Sequence, residues 1–261
     1  MPKHVPGTRA HQGPESTVNR SRSLHTMWRM YRDLSGRRDQ REGLDMTVHP
    51  KEVHPIEIES YRRMRTAIDF SQWRDVDRAV VERMVHATAD EDYATSAHVG
   101  ENAVLRAIEA LRSGARVITD ANMVRVGLVG VSEVTGQDPV CFLDRVSAAD
   151  LATAQHLEPD LTRSAFAIRQ SVEMGAKGAV FVIGNAPTAL FELLRLVDAA
   201  LVLPAAVIGL PVGFVGATES KEALRASSIA HLAISNTGRK GGSAVAAATL
   251  NALVRLARET A

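Results

Sequence analysis

Three short apolar runs near the carboxyl terminus are each followed by a glycine-rich turn and then by a helix-forming segment. The runs cover residues 179–183, 205–208 and 231–234, and the turns begin at Gly184, Gly209 and Gly238. A β-rich run that leads through a Gly, Pro, Thr or Ser turn into a helix is the βα unit of a parallel sheet. Ligands of open α/β sheets bind outside the carboxyl ends of the strands. The three turns are therefore expected to build one broad site.

The rest of the chain from Pro55 onward has the pattern of one α/β domain. Apolar spacing predicts helices over 56–69, 76–88, 101–113, 162–174 and 243–258, and a buried strand over 116–120 that ends in an acid. A further strand is predicted over 139–143. Strands that alternate with helices in this way predict an α/β fold, a three-layer α/β/α sandwich with a mainly parallel sheet.

Composition restricts the class of protein. The net charge is +1, aromatic residues make up 4%, and Cys141 is the single cysteine. These values argue against strong general affinity for nucleic acid or membrane, against a platform for stacking bases, and against an intramolecular disulfide framework. No apolar run approaches the ~20 residues of a membrane span. We expect a soluble, cytoplasmic protein with neither a nucleic acid nor a membrane as partner.

The first fifty residues differ from the remainder in charge. They contain nine Lys and Arg residues against five acidic residues, and little of this segment could bury an apolar face. We expect residues 1–50 to be a basic, disordered extension and residues 51–261 to form the domain. There are two alternatives. The segment could be a basic arm that contacts an acidic partner, or it could result from an upstream start codon, with Met46 as the usual beginning.

The loops have the chemistry of an anion receptor with an apolar floor. Helix amino termini favour anions, and Arg163, Lys221, Arg239 and Lys240 add fixed positive charge beside them. The phosphate-binding patterns G-x-x-x-x-G-K-[ST] and G-x-G-x-x-G are absent, which weakens a nucleotide assignment. Apolar loop residues such as Phe214 favour a ligand that has a large apolar face and a charged rim.

His86 is the histidine best placed for chemistry. It lies where the apolar face of the predicted helix 76–88 ends, and an imidazole there can exchange protons near neutral pH. On the residues alone, a structural histidine remains the more common reading of this position. The chain has no zinc-type Cys/His spacing, no H-E-x-x-H and no G-x-S-x-G, so no metal site is predicted.

Four strings in order resemble the precorrin-8X methylmutase family of cobalamin biosynthesis, from about Pro55 to the end of the chain. They begin at Met84, Gly184, Gly209 and Gly238 and read MVHA, GNAPTALF, GLPVGFVGA followed by TESK, and GRKGGSA. The resemblance implies a flavodoxin-like sheet, a homodimer, and an isomerase that needs no added cofactor. The implied reaction moves a methyl group from C11 to C12 of precorrin-8X or its cobalt form, giving hydrogenobyrinate or cobyrinate. It also implies that His86 donates and recovers the proton.

The resemblance further implies a set of side chains that contact the tetrapyrrole substrate. They are Ser60, Arg163, Asn185, Thr188, Lys221, Arg239, Lys240 and Ser243. Turn geometry and helix capping are the alternative explanation for the Asn, Thr and Ser positions. Ala89 stands where the family often has glycine, and a positive φ at this position would strain it by about 1 kcal/mol.

Two other functions are compatible with parts of the pattern. A non-catalytic tetrapyrrole carrier would need the loops but would not need a proton donor at His86. A phosphosugar or nucleotide enzyme would rest on the fold alone and would require the phosphate-loop motifs that are missing.

Overall fold

The computed structural model describes residues 54–259. A short amino-terminal unit ends at Glu59, and a compact unit begins at Ser60. The first helix, α1, spans Pro55–Ala67 and so begins in one unit and ends in the other. The predicted basic extension over 1–50 lies outside the described residues, and a domain that starts at residue 51 stays a prediction.

Six strands form one sheet in the order β1-β6-β5-β4-β2-β3. The strands are β1 Ala97–Val99, β2 Val117–Thr119, β3 Val140–Cys141, β4 Val180–Ile183, β5 Ala206–Gly209 and β6 Ala233–Asn236. All neighbours pair in parallel except β1, which is antiparallel to β6. When the five parallel strands are numbered along the chain, their order is 2-1-3-4-5. This is the order of flavodoxin-like sheets, the type of sheet that the family resemblance implied.

The central strands are buried because helices cover both faces of the sheet. Every residue of β4, β5 and β6 is buried, which explains why these strands read as near-continuous apolar runs rather than as alternating ones. The strand predicted over 231–234 begins two residues later, at Ala233, because Ala230–Leu232 forms a 3-10 turn before β6. The edge strand β1 was not predicted, since it has only three half-buried residues and no apolar run.

Eleven helices belong to the described chain. After α1 they are α2 Asp75–Thr88, α3 Tyr93–Ser96, α4 Ala103–Arg112, α5 Asn122–Val126, α6 Val131–Thr135, α7 Ala148–Gln155, α8 Arg163–Glu173, α9 Pro187–Asp198, α10 Ala217–Ala226 and α11 Ser243–Glu259. Their ends follow local chemistry. Pro187 occupies the first turn of α9, and the Thr162 side chain accepts a hydrogen bond from the N–H of Ala165 at the start of α8.

Two apolar cores lie on opposite faces of the sheet. On one face, Val182 of β4 packs in a core with residues of α2, α4 and α11, including Met84 and Leu253. On the other face, Phe181 packs in a core with residues of α8, α9 and α10, including Leu193. Because neighbouring strand residues point to opposite faces, one buried strand supplies both cores. The three-layer α/β/α sandwich is confirmed. Within residues 54–259, no helix is long and apolar enough to cross a membrane.

Candidate active site at the carboxyl ends of the strands

Asp120 follows β2 directly and holds the first glycine-rich loop. Its Oδ1 accepts the N–H of Gly184 at 2.9 Å, and its Oδ2 accepts those of Asn185 at 2.9 Å and Ala186 at 2.7 Å. The carboxyl is 1% exposed. Burial raises the pKa of Asp120, and the three backbone N–H bonds oppose that rise. The carboxylate therefore occupies the backbone N–H groups that precede α9.

This arrangement changes what the first loop can bind. β2 and β4 are the neighbours at which the order of the flavodoxin-like sheet reverses, the position where such folds bind phosphate groups. Here a carboxylate of the protein already takes up the N–H groups at that position. The expectation that all three loops offer helix amino termini to ligand anions is therefore wrong for the first loop.

The second and third loops are joined by their backbones. The N–H of Gly242 donates to the carbonyl of Leu210 at 2.9 Å, and that of Gly213 donates to the carbonyl of Arg239 at 3.3 Å. A Cβ on Gly241 would lie 2.3 Å from the Leu210 oxygen, far inside contact distance. Glycine at 241 thus allows two loops from different βα units to form one surface.

His86 lies in the last turn of α2 and is half-buried. Its ring stacks on the ring of Tyr61, with centroids 4.4 Å apart and planes 7° from parallel. Its Nδ1 is 3.4 Å from Nη1 of Arg83, one turn earlier. A guanidinium can only donate, so in this contact Nδ1 is the acceptor and a neutral imidazole carries its proton on Nε2.

The end of α2 meets the condition under which Ala89 was expected to be strained. Ala89 has φ 52° and ψ 29°, in the left-handed region, and its N–H donates to the carbonyl of Val85 at 2.8 Å. The Thr88 hydroxyl donates to the carbonyl of Met84 at 2.9 Å, and the N–H of Asp90 donates back to that hydroxyl at 3.2 Å. These bonds fix the turn that leads away from His86.

Lys240 connects the third loop to this turn. Its ammonium forms an ion pair with Asp90 at 2.7 Å and a second one with Asp92. The pairing lowers the pKa of Asp90 and raises that of Lys240. The segment that follows His86 is thus held by a residue about 150 positions later in the chain.

Lys221 is fully buried below the same loop. Its ammonium donates to Oδ1 of Asn236 at 2.9 Å and to the backbone carbonyl of Lys240 at 2.6 Å. Burial, together with the nearby charge of Arg225, lowers the pKa of Lys221 to about 8. The Asn236 side chain also donates to the Lys240 carbonyl, at 3.0 Å, so that carbonyl accepts two hydrogen bonds.

Comparison with known proteins places the chain in a family. Residues 55–256 match the family described as precorrin-8X methylmutase (CbiC). The chain belongs to the precorrin-8X methylmutase family. The four sequence strings had predicted this membership, and it makes the chain a methylmutase, an isomerase of cobalamin biosynthesis.

Individual relatives agree with the family match. A cobalt-precorrin-8 methylmutase of Methanothermobacter thermautotrophicus is 40% identical over 191 residues, which cover 73% of this chain and 86% of the relative. A precorrin-8X methylmutase of Pseudomonas aeruginosa is 41% identical over 179 residues, which cover 69% and 83%. The crystal structure of the Thermus thermophilus precorrin-8X methylmutase is similar with a TM-score of 0.71 and 35% identity, over 78% of this chain and 96% of that one.

The other side chains predicted to contact substrate in this methylmutase fall into two groups. Ser60 is half-buried next to Tyr61, the exposed Arg239 guanidinium lies 5.5 Å from the Phe214 ring centroid, and Ser243 is buried at the start of α11. A second group surrounds the starts of α8 and α9.

In that second group, Asn185 and Thr188 are exposed, and the Thr162 hydroxyl donates to that of Thr188 at 2.8 Å. Arg163 donates to the backbone carbonyls of Leu143 and Val146, at 3.1 and 3.3 Å. Its guanidinium thus already has two protein partners, although the side chain is exposed.

Sequence reasoning missed three residues that shape the candidate site. Asp120 had a signal, because an acid directly after a buried strand faces the loop edge of the sheet. Tyr61 and Asn236 had none, since their partners His86 and Lys221 belong to other elements of the fold. Nor did the sequence show that Lys221 and Lys240 bind protein groups.

Proposed function

We propose that this methylmutase moves the methyl group of precorrin-8X from C11 to C12, giving hydrogenobyrinate, with His86 as proton donor and acceptor. The observation that supports this role best is the setting of His86 at the end of α2. Its ring is stacked on Tyr61, and its Nδ1 faces the Arg83 guanidinium, which can only donate and so fits the neutral imidazole that proton donation leaves. Cobalt-precorrin-8, giving cobyrinate, is the second substrate to be tested, because relatives of both descriptions are similar to this chain.

The proposed reaction begins with proton transfer from the protonated imidazolium form of His86 to the macrocycle near the migrating methyl group, which leaves a neutral imidazole. The protonated ring system then undergoes a 1,5-sigmatropic shift, in which the C11–CH3 bond breaks as the C12–CH3 bond forms. Loss of the same proton to His86 restores the starting state of the enzyme. No electrons are gained or lost and no group is added, so we propose that no cofactor is needed. A histidine suits both transfers because its pKa range lies near the working pH.

The loops supply the surface that a flat polycarboxylate requires. Phe214 and Val215 are 86% and 88% exposed at the tip of the second loop, and the guanidinium of Arg239 lies over the Phe214 ring. We assign the apolar tip to the face of the macrocycle and Arg239 to one of its carboxylates. Ser60, Arg163, Asn185, Thr188 and Ser243 are proposed as further contacts.

Two other properties implied by the family belong to the proposal. The chain is expected to form a homodimer with its sites near the subunit interface, which light scattering during size-exclusion chromatography will test. A cytoplasmic location stays a prediction from the cysteine content.

The direct test follows the visible spectrum while purified protein is incubated with precorrin-8X and no additives. Conversion to the hydrogenobyrinate spectrum supports the proposal. A shift that stops at one ligand per chain would instead indicate a carrier or an enzyme specific for the cobalt form, and the cobalt substrate separates these two outcomes.

Substitution of His86 tests its role. His86→Ala should abolish turnover but leave the affinity for the product, measured by absorbance titration, within a few-fold of the unmodified protein. The matched control is Arg239→Ala, which should weaken product binding most at low salt, because screening reduces the charge interaction as salt rises. Normal turnover by His86→Ala would remove His86 from the mechanism.

A further inference from the structure

A continuous set of polar contacts runs from the interior of the protein to the turn after His86. It begins at the ammonium of Lys221, which is 0% exposed and has two protein acceptors, the Asn236 side chain and the Lys240 carbonyl. The backbone of Lys240 then connects this buried ammonium to the surface of the protein. Both acceptors lie at the carboxyl end of β6 or in the loop that follows it, so Lys221 fixes where this loop starts.

The side chain of Lys240 continues the set of contacts across to α2. Its ammonium pairs with the carboxylates of Asp90 and Asp92, and the N–H of Asp92 donates to Oδ1 of Asp90 at 3.1 Å. Thr88 then joins Asp90 to the last turn of α2. Every contact in this set joins two groups of the protein itself.

We propose that Lys221 and Lys240 are positioning residues that hold the carboxyl end of α2, and with it His86, against the third glycine-rich loop. Their ammonium groups bind protein carbonyls and carboxylates, and neither serves as a ligand for substrate carboxylates. This inference rests on the proposed proton transfer by His86. It assigns the recognition of substrate carboxylates in the third loop to Arg239.

The contacts of Lys240 with Asp90 and Asp92 are expected to affect the position of His86 more than the stability of the fold. Lys240 is 47% exposed and Asp92 is 71% exposed, and ion pairs this exposed contribute little to the free energy of folding. Variants of the clamp formed by Lys240, Asp90 and Asp92 should therefore fold normally. Proton transfer, by contrast, requires donor and acceptor within hydrogen-bond reach, and a displacement of about 1 Å can cost up to a hundredfold in rate.

Steady-state kinetics of four variants test the proposal. Lys240→Gln and the double variant Asp90→Asn/Asp92→Asn each break the clamp from one side, and the triple variant breaks it from both. We expect kcat to fall about tenfold in each, with KM nearly unchanged and no further loss in the triple variant. Lys240→Arg, which can still pair with both carboxylates, should recover most of the activity.

Arg239→Gln is the matched control from the same loop, and it should raise KM instead of lowering kcat. The proposal is overturned if Lys240→Gln also raises KM while Asp90→Asn/Asp92→Asn leaves kcat unchanged. In that case the freed ammonium of Lys240 would be a ligand for substrate.

Hydrogen exchange provides a readout that does not depend on turnover. Amides over 87–92 should exchange about tenfold faster in Lys240→Gln and in Lys221→Met than in the unmodified protein, with β4 unchanged. If the protein fails to convert either substrate but this difference is seen, the proposed function fails and the positioning network stands. If exchange over 87–92 is unaffected, the network itself is refuted.

Discussion

Replacement of Asp120 by asparagine should destabilise the protein through the first glycine-rich loop. The Asp120 carboxylate accepts N–H groups from Gly184, Asn185 and Ala186 at 2.7–2.9 Å. A carboxamide of the same shape has a single oxygen. If that oxygen replaces Oδ2, the new NH2 group faces the N–H of Gly184, donor against donor, and that buried N–H loses its acceptor.

The magnitude follows from these contacts. An unsatisfied buried N–H costs about 1–3 kcal/mol, and the two retained bonds lose the strength that the charge gives them. The negative charge beside the amino terminus of α9 is also lost, worth about 0.3–1 kcal/mol or more when buried. Asp120→Asn should thus lower the free energy of unfolding by about 3 kcal/mol. For a domain of this size the midpoint of thermal unfolding would fall by roughly 6–12 °C.

Thermal unfolding followed by circular dichroism is the assay, and Asp138→Asn is the control. Asp138 is exposed, so its substitution makes the same change in charge and should alter stability by less than about 0.5 kcal/mol. Equal unfolding midpoints for the two variants would refute the assignment of Asp120 as the anchor of the loop. Because Asn185 is held by Asp120, the KM of the Asp120→Asn variant should also rise.

Three further perturbations have defined outcomes. Ala89→Gly should relieve the left-handed backbone at φ 52° and stabilise the protein by about 0.5–1 kcal/mol in urea unfolding, and a loss of stability would contradict the assigned strain. Gly241→Ala should lower the free energy of unfolding by about 1–3 kcal/mol and reduce kcat/KM, because its Cβ would meet the Leu210 oxygen at 2.3 Å. An active and stable variant would show instead that the two loops can separate. Burial lowers the pKa of Lys221 from an ordinary 10.5 to about 8. Between these two pH values the unfolded chain binds more protons than the folded one. The free energy of unfolding therefore rises with pH across this window, by at most about 3 kcal/mol. The Lys221→Met variant, unfolded in urea at both ends of that window, should lack this rise, and an identical pH dependence would show that Lys221 is not the group responsible.

Much of the fold could be predicted because its signals are local. A buried parallel strand is a short apolar run, a helix start has its capping residues nearby, and each glycine-rich turn lies between them in sequence. The strands from 179 onward and the helix that starts at Ser243 follow from neighbours within a few positions. The strand β1 has no such local pattern and was missed.

The sequence by itself determined the class of fold, the family and the residue types gathered at the carboxyl edge of the sheet. The tertiary structure alone decided which of those groups bind other groups of the same chain and which are left to bind a ligand. Asp120 binds N–H groups 64–66 residues away, and Lys240 pairs with carboxylates about 150 residues away. Such pairings form only when the sheet brings distant loops together. A lysine in a loop is identical in sequence whether a substrate or a carboxylate of its own chain neutralises it, and only the folded chain distinguishes the two.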